Sequence, residues 1–310
     1  MRIVITEFMA GAAVASLAER FDVVYDKALV DRPDDVQVEI GDADALIVRN
    51  RTSVDAELLA CAPRLRVVGR LGVGLDNIDV DACAARGIAV IPATGANALA
   101  VAEYVLATAL VLLRGVYHST AEVAAGHWPR SALSHGREIA GKTLGIVGYG
   151  GIGRESARLG RALGMRVIGF DPQVPAASPL WTQDGTAPRD FAEVLAEADV
   201  VTLHVPLSPA TRNLLDAARI ATMKLDAILI NTARGGVVDE TAVAAALRAG
   251  TLGGAALDVF DHEPLGAGSP LAGCPRLILT PHVAGVSRES NDRVSSLIAE
   301  QVAATLTARA

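Results

Sequence analysis

Short apolar runs rich in Val, Ile, Leu and Ala recur along the chain, separated by Ala-rich stretches in which apolar residues return at helical spacing. Runs at Arg2 to Thr6, Val23 to Tyr25, Ala45 to Val48, Arg66 to Val68 and Ile88 to Ile91 predict strands. They lack the polar alternation of a half-exposed strand, which points to strands buried on both faces of a parallel sheet. A long apolar helix beginning near Asn97 interrupts this rhythm, and a second series starts at Thr143 to Val147. It continues through Arg166 to Phe170, Val200 to His204, Ala227 to Asn231, Gly254 to Leu257 and Leu277 to Leu279. Strands alternating with helices in both series predict an α/β fold of two doubly wound parallel-sheet domains. From about Ser287 to Ala310 the pattern is helical with no strand of its own, so this segment is expected to pack back on the N-terminal lobe.

Length agrees with two domains, since 310 residues exceed what one core commonly organises. Hydrophobic residues make up 51% but aromatics only 4%, so the cores must be built from aliphatic side chains. A net charge of -7 gives no excess of cations for a phosphate backbone, which argues against nucleic acid. Cys61, Cys83 and Cys274 show no CxxC spacing, so neither a disulfide framework nor a metal site is expected. The opening MRIVITEF reads as a strand rather than a signal peptide, which predicts a cytoplasmic protein. The most apolar stretch, Ala98 to Leu113, contains Glu103 and is too short for a bilayer, so no membrane association is expected.

In the second series, strand TLGIV runs into Gly148-Tyr149-Gly150-Gly151-Ile152-Gly153 and then into a helical segment. This is GxGxxG in its required context: Gly148 permits the turn, Gly150 lets backbone approach a pyrophosphate, and Gly153 lets helix meet strand. The next strand ends in Asp171, about 20 residues on, where a carboxylate can accept bonds from a ribose 2′-hydroxyl. It would repel a 2′-phosphate, and Pro172, Gln173 and Val174 offer no cation, so NAD is predicted over NADP. The turn Gly72-Val73-Gly74-Leu75-Asp76-Asn77 lacks the third glycine, and its amides at Val73 and Gly74 suit a carboxylate instead, or serve only as a loop.

Three later segments, ILINTARGG, ALDVFDHEP and LILTPHVAG, each follow a predicted strand, where open α/β sheets place their ligands. Reduction of a 2-oxo acid by hydride needs a cation for the carboxylate and an acid for the developing alkoxide. Arg234 offers paired hydrogen bonds to a carboxylate, His282 can give and take a proton, and Glu263 can fix the imidazole tautomer.

Taken together, GYGGIG, the strand ending in Asp171, LHVPLSPATRNLL, NTARGGVVDE, ALDVFDHEP and TPHVAG resemble successive signatures of the D-2-hydroxyacid dehydrogenases. VRNRT and GRLGVGLDNID make the phosphoglycerate dehydrogenase branch the nearest, in a short form without a regulatory domain, so serine feedback is not expected. The resemblance implies a Rossmann NAD-binding domain, 98-286, inserted into a flavodoxin-like substrate domain, 1-97 plus 287-310, with catalysis in the intervening cleft. It implies Arg234, Glu263 and His282 as the catalytic residues. It also implies an NAD site lined by Gly151, Ile152, Asp171, Val205, Pro206, Thr211, Thr232, Ala233 and Asp258, the last near the nicotinamide carboxamide. Val73, Gly74 and Asn97 match substrate-binding positions, and a homodimer through the cofactor domains is implied.

Arg49 and Arg51, at the end of a substrate-lobe strand, could bind a second anion or could be solvated turn charges. The expected substrate is a small anionic D-2-hydroxy acid of phosphoglycerate, sulfolactate, glycerate or lactate type. Two rivals stand beside this reading: a formate dehydrogenase, against which Glu263 beside His282 argues, and an NAD(H)-sensing corepressor-like binding protein without turnover.

Overall fold

Strands buried on both faces pair best in parallel sheets covered by helices, and both halves of the chain follow that rule. The computed structural model describes residues 1–308, so Arg309 and Ala310, at the end of the predicted last helix, lie outside the described residues. The chain divides into Met1–Asn97 with Val286–Ala310, here unit 1, and Ala98–Gly285, unit 2.

Unit 1 holds β1 (Arg2–Ile5), β2 (Asp22–Tyr25), β3 (Ala45–Val48), β4 (Val67–Arg70) and β5 (Ala89–Pro92), paired in parallel in the order β2-β1-β3-β4-β5. Its last helix, Arg288–Ala308, buries Val294, Ile298, Val302 and Leu306 against Ile3, Ile5, Ile47 and Val67. Gly69 makes that contact possible, because a Cβ there would stand 2.8 Å from methyl groups of both Ile298 and Val302. β4 runs to Arg70 rather than stopping at Val68, since Gly69 and Arg70 pair with Ile47 and Val48 although neither adds to the apolar run.

Unit 2 holds β6 (Thr143–Val147), β7 (Arg166–Phe170), β8 (Ala187–Pro188), β9 (Val200–Leu203), β10 (Ile228–Asn231), β11 (Gly254–Leu257) and β12 (Leu277–Leu279). All pair in parallel, in the order β12-β11-β10-β9-β6-β7-β8. The helix Ala98–Arg114 packs on the helix Gly151–Ala162, burying Val105, Leu106, Ala109, Leu112 and Leu113 beside Leu144, Ile146 and Ala157. Among the described residues no single helix is long and apolar enough to cross a membrane. β8 has no counterpart in the sequence pattern, being a two-residue edge strand that ends in proline.

Strand order reverses between β1 and β3 in unit 1 and between β6 and β9 in unit 2. Ligands of open α/β sheets bind outside the carboxyl ends at such points.

Candidate active site

In unit 2 the chain leaves β6 through Gly148, at φ +94°, where a Cβ would strike the carbonyl of His204, while a Cβ on Gly153 would strike the carbonyl of Gly148. Strand, turn and helix can therefore meet only with glycine at both places. At Gly150 and Gly151, by contrast, nothing lies within 4 Å of the Cβ position. The helix they open has no side-chain cap and no acid in its first turn. Uncapped amides at a helix N-terminus facing open space make a ready site for a phosphate group.

Asp171, just past β7, is held beside this turn by accepting from the Tyr149 amide at 2.7 Å and the Gln173 amide at 2.8 Å. Across the reversal point, β9 exits through His204, Val205 and Pro206. Thr211 Oγ1 closes the following loop, donating to the Pro206 carbonyl at 2.6 Å and accepting from the Ser208 amide at 2.8 Å. Beyond β10, Ala233 is buried, and Thr232 Oγ1 is a buried hydroxyl with no hydrogen-bond partner among the described residues. A buried orphan of that kind requires a partner from elsewhere. Open glycines, a fixed carboxylate and an unsatisfied hydroxyl together fit a dinucleotide. His204 Nε2 lies 3.1 Å from Thr202 Oγ1, and burial pushes the ring's pKa down to about 3, so it is neutral at ordinary pH.

The exits of β10, β11 and β12 are neighbours in the sheet and carry Arg234, Glu263 and His282. His282 Nδ1 and Glu263 Oε2 are 2.8 Å apart. An ionised carboxylate only accepts, so the proton sits on Nδ1 and Nε2 remains for chemistry. Glu263 Oε1 accepts from the Phe260 amide at 3.0 Å, which fixes the carboxylate in turn. His282 adopts φ +55°, rare for a residue with a side chain, and its amide donates to the carbonyls of Asp258 at 2.8 Å and Thr280 at 3.0 Å.

Asp258, 1% exposed, clasps the same loop by accepting from Thr280 Oγ1 at 2.5 Å, the Val283 amide at 2.9 Å and the Ala284 amide at 2.8 Å. Because Thr280 gives its only hydroxyl proton to Asp258, Tyr104, whose hydroxyl lies 2.7 Å from Thr280 Oγ1, is the donor in that pair. In the turn carrying Arg234, Asn231 accepts from the Ala233 amide and donates to the Arg234 carbonyl, each at 3.0 Å.

In unit 1, Val73 and Gly74 lie in the exposed turn after β4, and the Arg70 guanidinium folds over that turn at Gly72. Asn97 has a buried Oδ1 without a hydrogen-bond partner among the described residues. The two arginines singled out as a joint anion site part company here. Arg51 is more than half exposed, and its guanidinium pairs with Asp31. Arg49 is half-buried and donates through Nη2 to Asn291 Oδ1 at 3.0 Å.

Sequence reasoning passed over Glu7, Asn291, Arg70 and the Tyr104–Thr280 pair. Only Arg70 left a signal, as a cation directly before the amide turn in GRLGVG.

The sequence pattern described as D-isomer specific 2-hydroxyacid dehydrogenase, NAD binding domain, matches residues 106–284. The chain is 54% identical over 308 residues to the (S)-sulfolactate dehydrogenase of Chromohalobacter salexigens, covering 99% of both. It is 41% identical over 302 residues to the D-3-phosphoglycerate dehydrogenase of Mycobacterium leprae, covering 97% of this chain and 56% of that protein. Among solved structures, the D-lactate dehydrogenase of Aquifex aeolicus complexed with NAD and lactic acid matches with a TM-score of 0.85 at 28% identity, covering 99% of this chain and 96% of that one.

Proposed function

The chain belongs to the D-isomer-specific 2-hydroxyacid dehydrogenase family, and from that premise we propose that its substrate pair is a small 2-hydroxy acid and 2-oxo acid bearing a second acidic group. Sulfolactate and sulfopyruvate rank ahead of the phosphoglycerate pair, because the likeness to the sulfolactate enzyme is higher and spans the full length of both proteins. The chain is an NAD-dependent oxidoreductase, and NAD when bound supplies the hydride acceptor for oxidation and, as NADH, the donor for reduction.

The single observation that carries the mechanism is the 2.8 Å pairing of His282 with Glu263, which leaves Nε2 to act on a substrate oxygen. In reduction, His282 donates a proton to the carbonyl oxygen as it gains charge, and Glu263 steadies the ring through Nδ1. In oxidation, the bare Nε2 takes the hydroxyl proton back. Arg234 grips the substrate carboxylate and draws charge onto the carbonyl oxygen. In unit 1, Val73, Gly74 and Asn97 are the candidates for substrate binding, and Arg49 meets the second acidic group.

Gly148 and Gly153 shape the turn, and the amides around Gly150, Gly151 and Ile152 hold the pyrophosphate. Val205, Pro206, Thr211, Thr232 and Ala233 line the rest of the cofactor site. Asp258 Oδ2, which accepts one backbone amide, has capacity for a carboxamide as well. This reading has the enzyme as a cytoplasmic homodimer. In support, its cysteines are free thiols, and Tyr117, Val123 and Trp128 expose apolar surface beyond the long helix of unit 2.

NADH absorbance with sulfopyruvate, phosphohydroxypyruvate, hydroxypyruvate, glyoxylate and pyruvate tests the assignment. Sulfopyruvate is expected to give the highest kcat/KM; silence across the panel with NADH binding intact would replace the enzyme by a cofactor sensor. Asp171→Ala is expected to cut the NAD-to-NADP preference by about tenfold to a hundredfold, since a charge-assisted bond to the ribose and a repulsion both vanish. An unchanged cofactor ratio would remove Asp171 from that role.

A further inference from the structure

The loop after β3 presents consecutive backbone amides, Arg49 to Thr52, to one side chain, the carboxylate of Glu7. Oε1 accepts from Arg49 at 2.9 Å and Thr52 at 3.0 Å, Oε2 accepts from Asn50 at 3.3 Å, and the Arg51 amide reaches both oxygens. Glu7 is 4% exposed, and a carboxylate so buried is stable only when such bonds replace its water. Successive amides of this kind form a nest for an anion, and here the anion belongs to the chain itself. From the other side, Asn77 Nδ2 donates to the Thr52 carbonyl at 2.7 Å, so the loop is held through donors and acceptors alike.

The group so mounted is Arg49. Its guanidinium lies 5.9 Å from the ring centroid of Phe8, the residue after Glu7, and its Nη2 donates to Asn291 in the first turn of the last helix. Both steering partners are neutral, and among the described residues Arg49 forms no ion pair, whereas Arg51 next door does. Burial pulls the Arg49 pKa below its usual range, opposed by the charge of Glu7, yet a guanidinium stays charged at any physiological pH. A half-buried cation, steered by neutral groups at the β1/β3 reversal point beside an exposed aromatic ring, is built to meet an anion from outside.

We propose that Glu7, Phe8 and Asn291 are positioning residues for substrate selection, aiming Arg49 at the second acidic group so that the enzyme separates 2-oxo acids with an anionic far end from those without. This rests on the reading of Arg49 given above.

The test compares sulfopyruvate with pyruvate, at saturating NADH, in the wild type, Glu7→Gln, Glu7→Asp and Asn291→Ala. Glutamine keeps the volume of Glu7 but turns an NH2 against amides that need an acceptor, so the loop must shift. The KM for sulfopyruvate is expected to rise about tenfold in Glu7→Gln and less in Asn291→Ala, as for a loosened charge-assisted bond. The change for pyruvate is far smaller, NADH affinity holds, and Glu7→Asp recovers part of the loss. Equal rises for both acids would mean general damage and overturn the proposal. If Glu7→Gln does not fold, Asn291→Ala decides alone. Wild-type selectivity kept in the variants would sink the positioning role and leave Arg49 standing. A wild type that does not distinguish the two acids would instead remove the second-anion reading, and the proposal with it.

Discussion

His282→Ala is expected to lower kcat in both directions by about a hundredfold to ten-thousandfold while NADH affinity stays within about twofold. The size is that of a positioned general acid. Nδ1 is spent on Glu263, so Nε2 is the atom available to a substrate oxygen, and the left-handed backbone of His282 is held by two carbonyls and by the clasp of Asp258 on the next two amides. His204 cannot take over, because burial keeps its ring neutral down to about 3 and Thr202 occupies its Nε2. Single-turnover reduction measured beside fluorescence titration of NADH checks this. A parallel loss of both would point to folding damage, and an unaltered kcat would remove His282 from proton transfer.

The strands that carry this chemistry were legible because their signal is local. Thr143–Val147, Arg166–Phe170, Gly254–Leu257 and Leu277–Leu279 are short runs dominated by apolar residues, and their bounds in the structure equal those read from the pattern. The glycines of the turn after β6 were legible for a steric reason that the sequence exposes directly. At Gly148 and Gly153 a Cβ has no room, so the spacing itself records the shape.

What stayed hidden works through backbone groups or over long separations. Glu7 binds amides more than forty positions away, and amides leave no trace in residue identity. Asn291 meets Arg49 across most of the chain, so nothing near either residue announces the pair. Arg49 and Arg51 look equivalent in VRNRT. Asp31, in another loop, pairs with one, and neutral partners steer the other. Asp258 shows the same limit, since its carboxylate was read only as a cofactor contact while it also clasps three groups of the loop carrying His282.

Arg234→Lys keeps a positive charge and so separates charge from geometry. Asn231 bridges the turn in both directions, fixing the backbone from which the arginine departs, and Arg234 Nη1 donates to the Ala233 carbonyl at 2.6 Å. A guanidinium has five N–H donors in a plane and can present two parallel bonds to a carboxylate. A lysine on the same turn offers a compact charge that cannot present two parallel donors or reach the carboxylate and carbonyl oxygen together. The expected loss in kcat/KM for the 2-oxo acid is therefore about a hundredfold, with the KM for NADH unchanged. Arg234→Gln, which removes the charge as well, is expected to fall further. If lysine serves as well as arginine, the site needs only a positive potential, and the paired-bond role of Arg234 fails. If lysine and glutamine are equally poor, alignment of the carboxylate rather than charge governs the step.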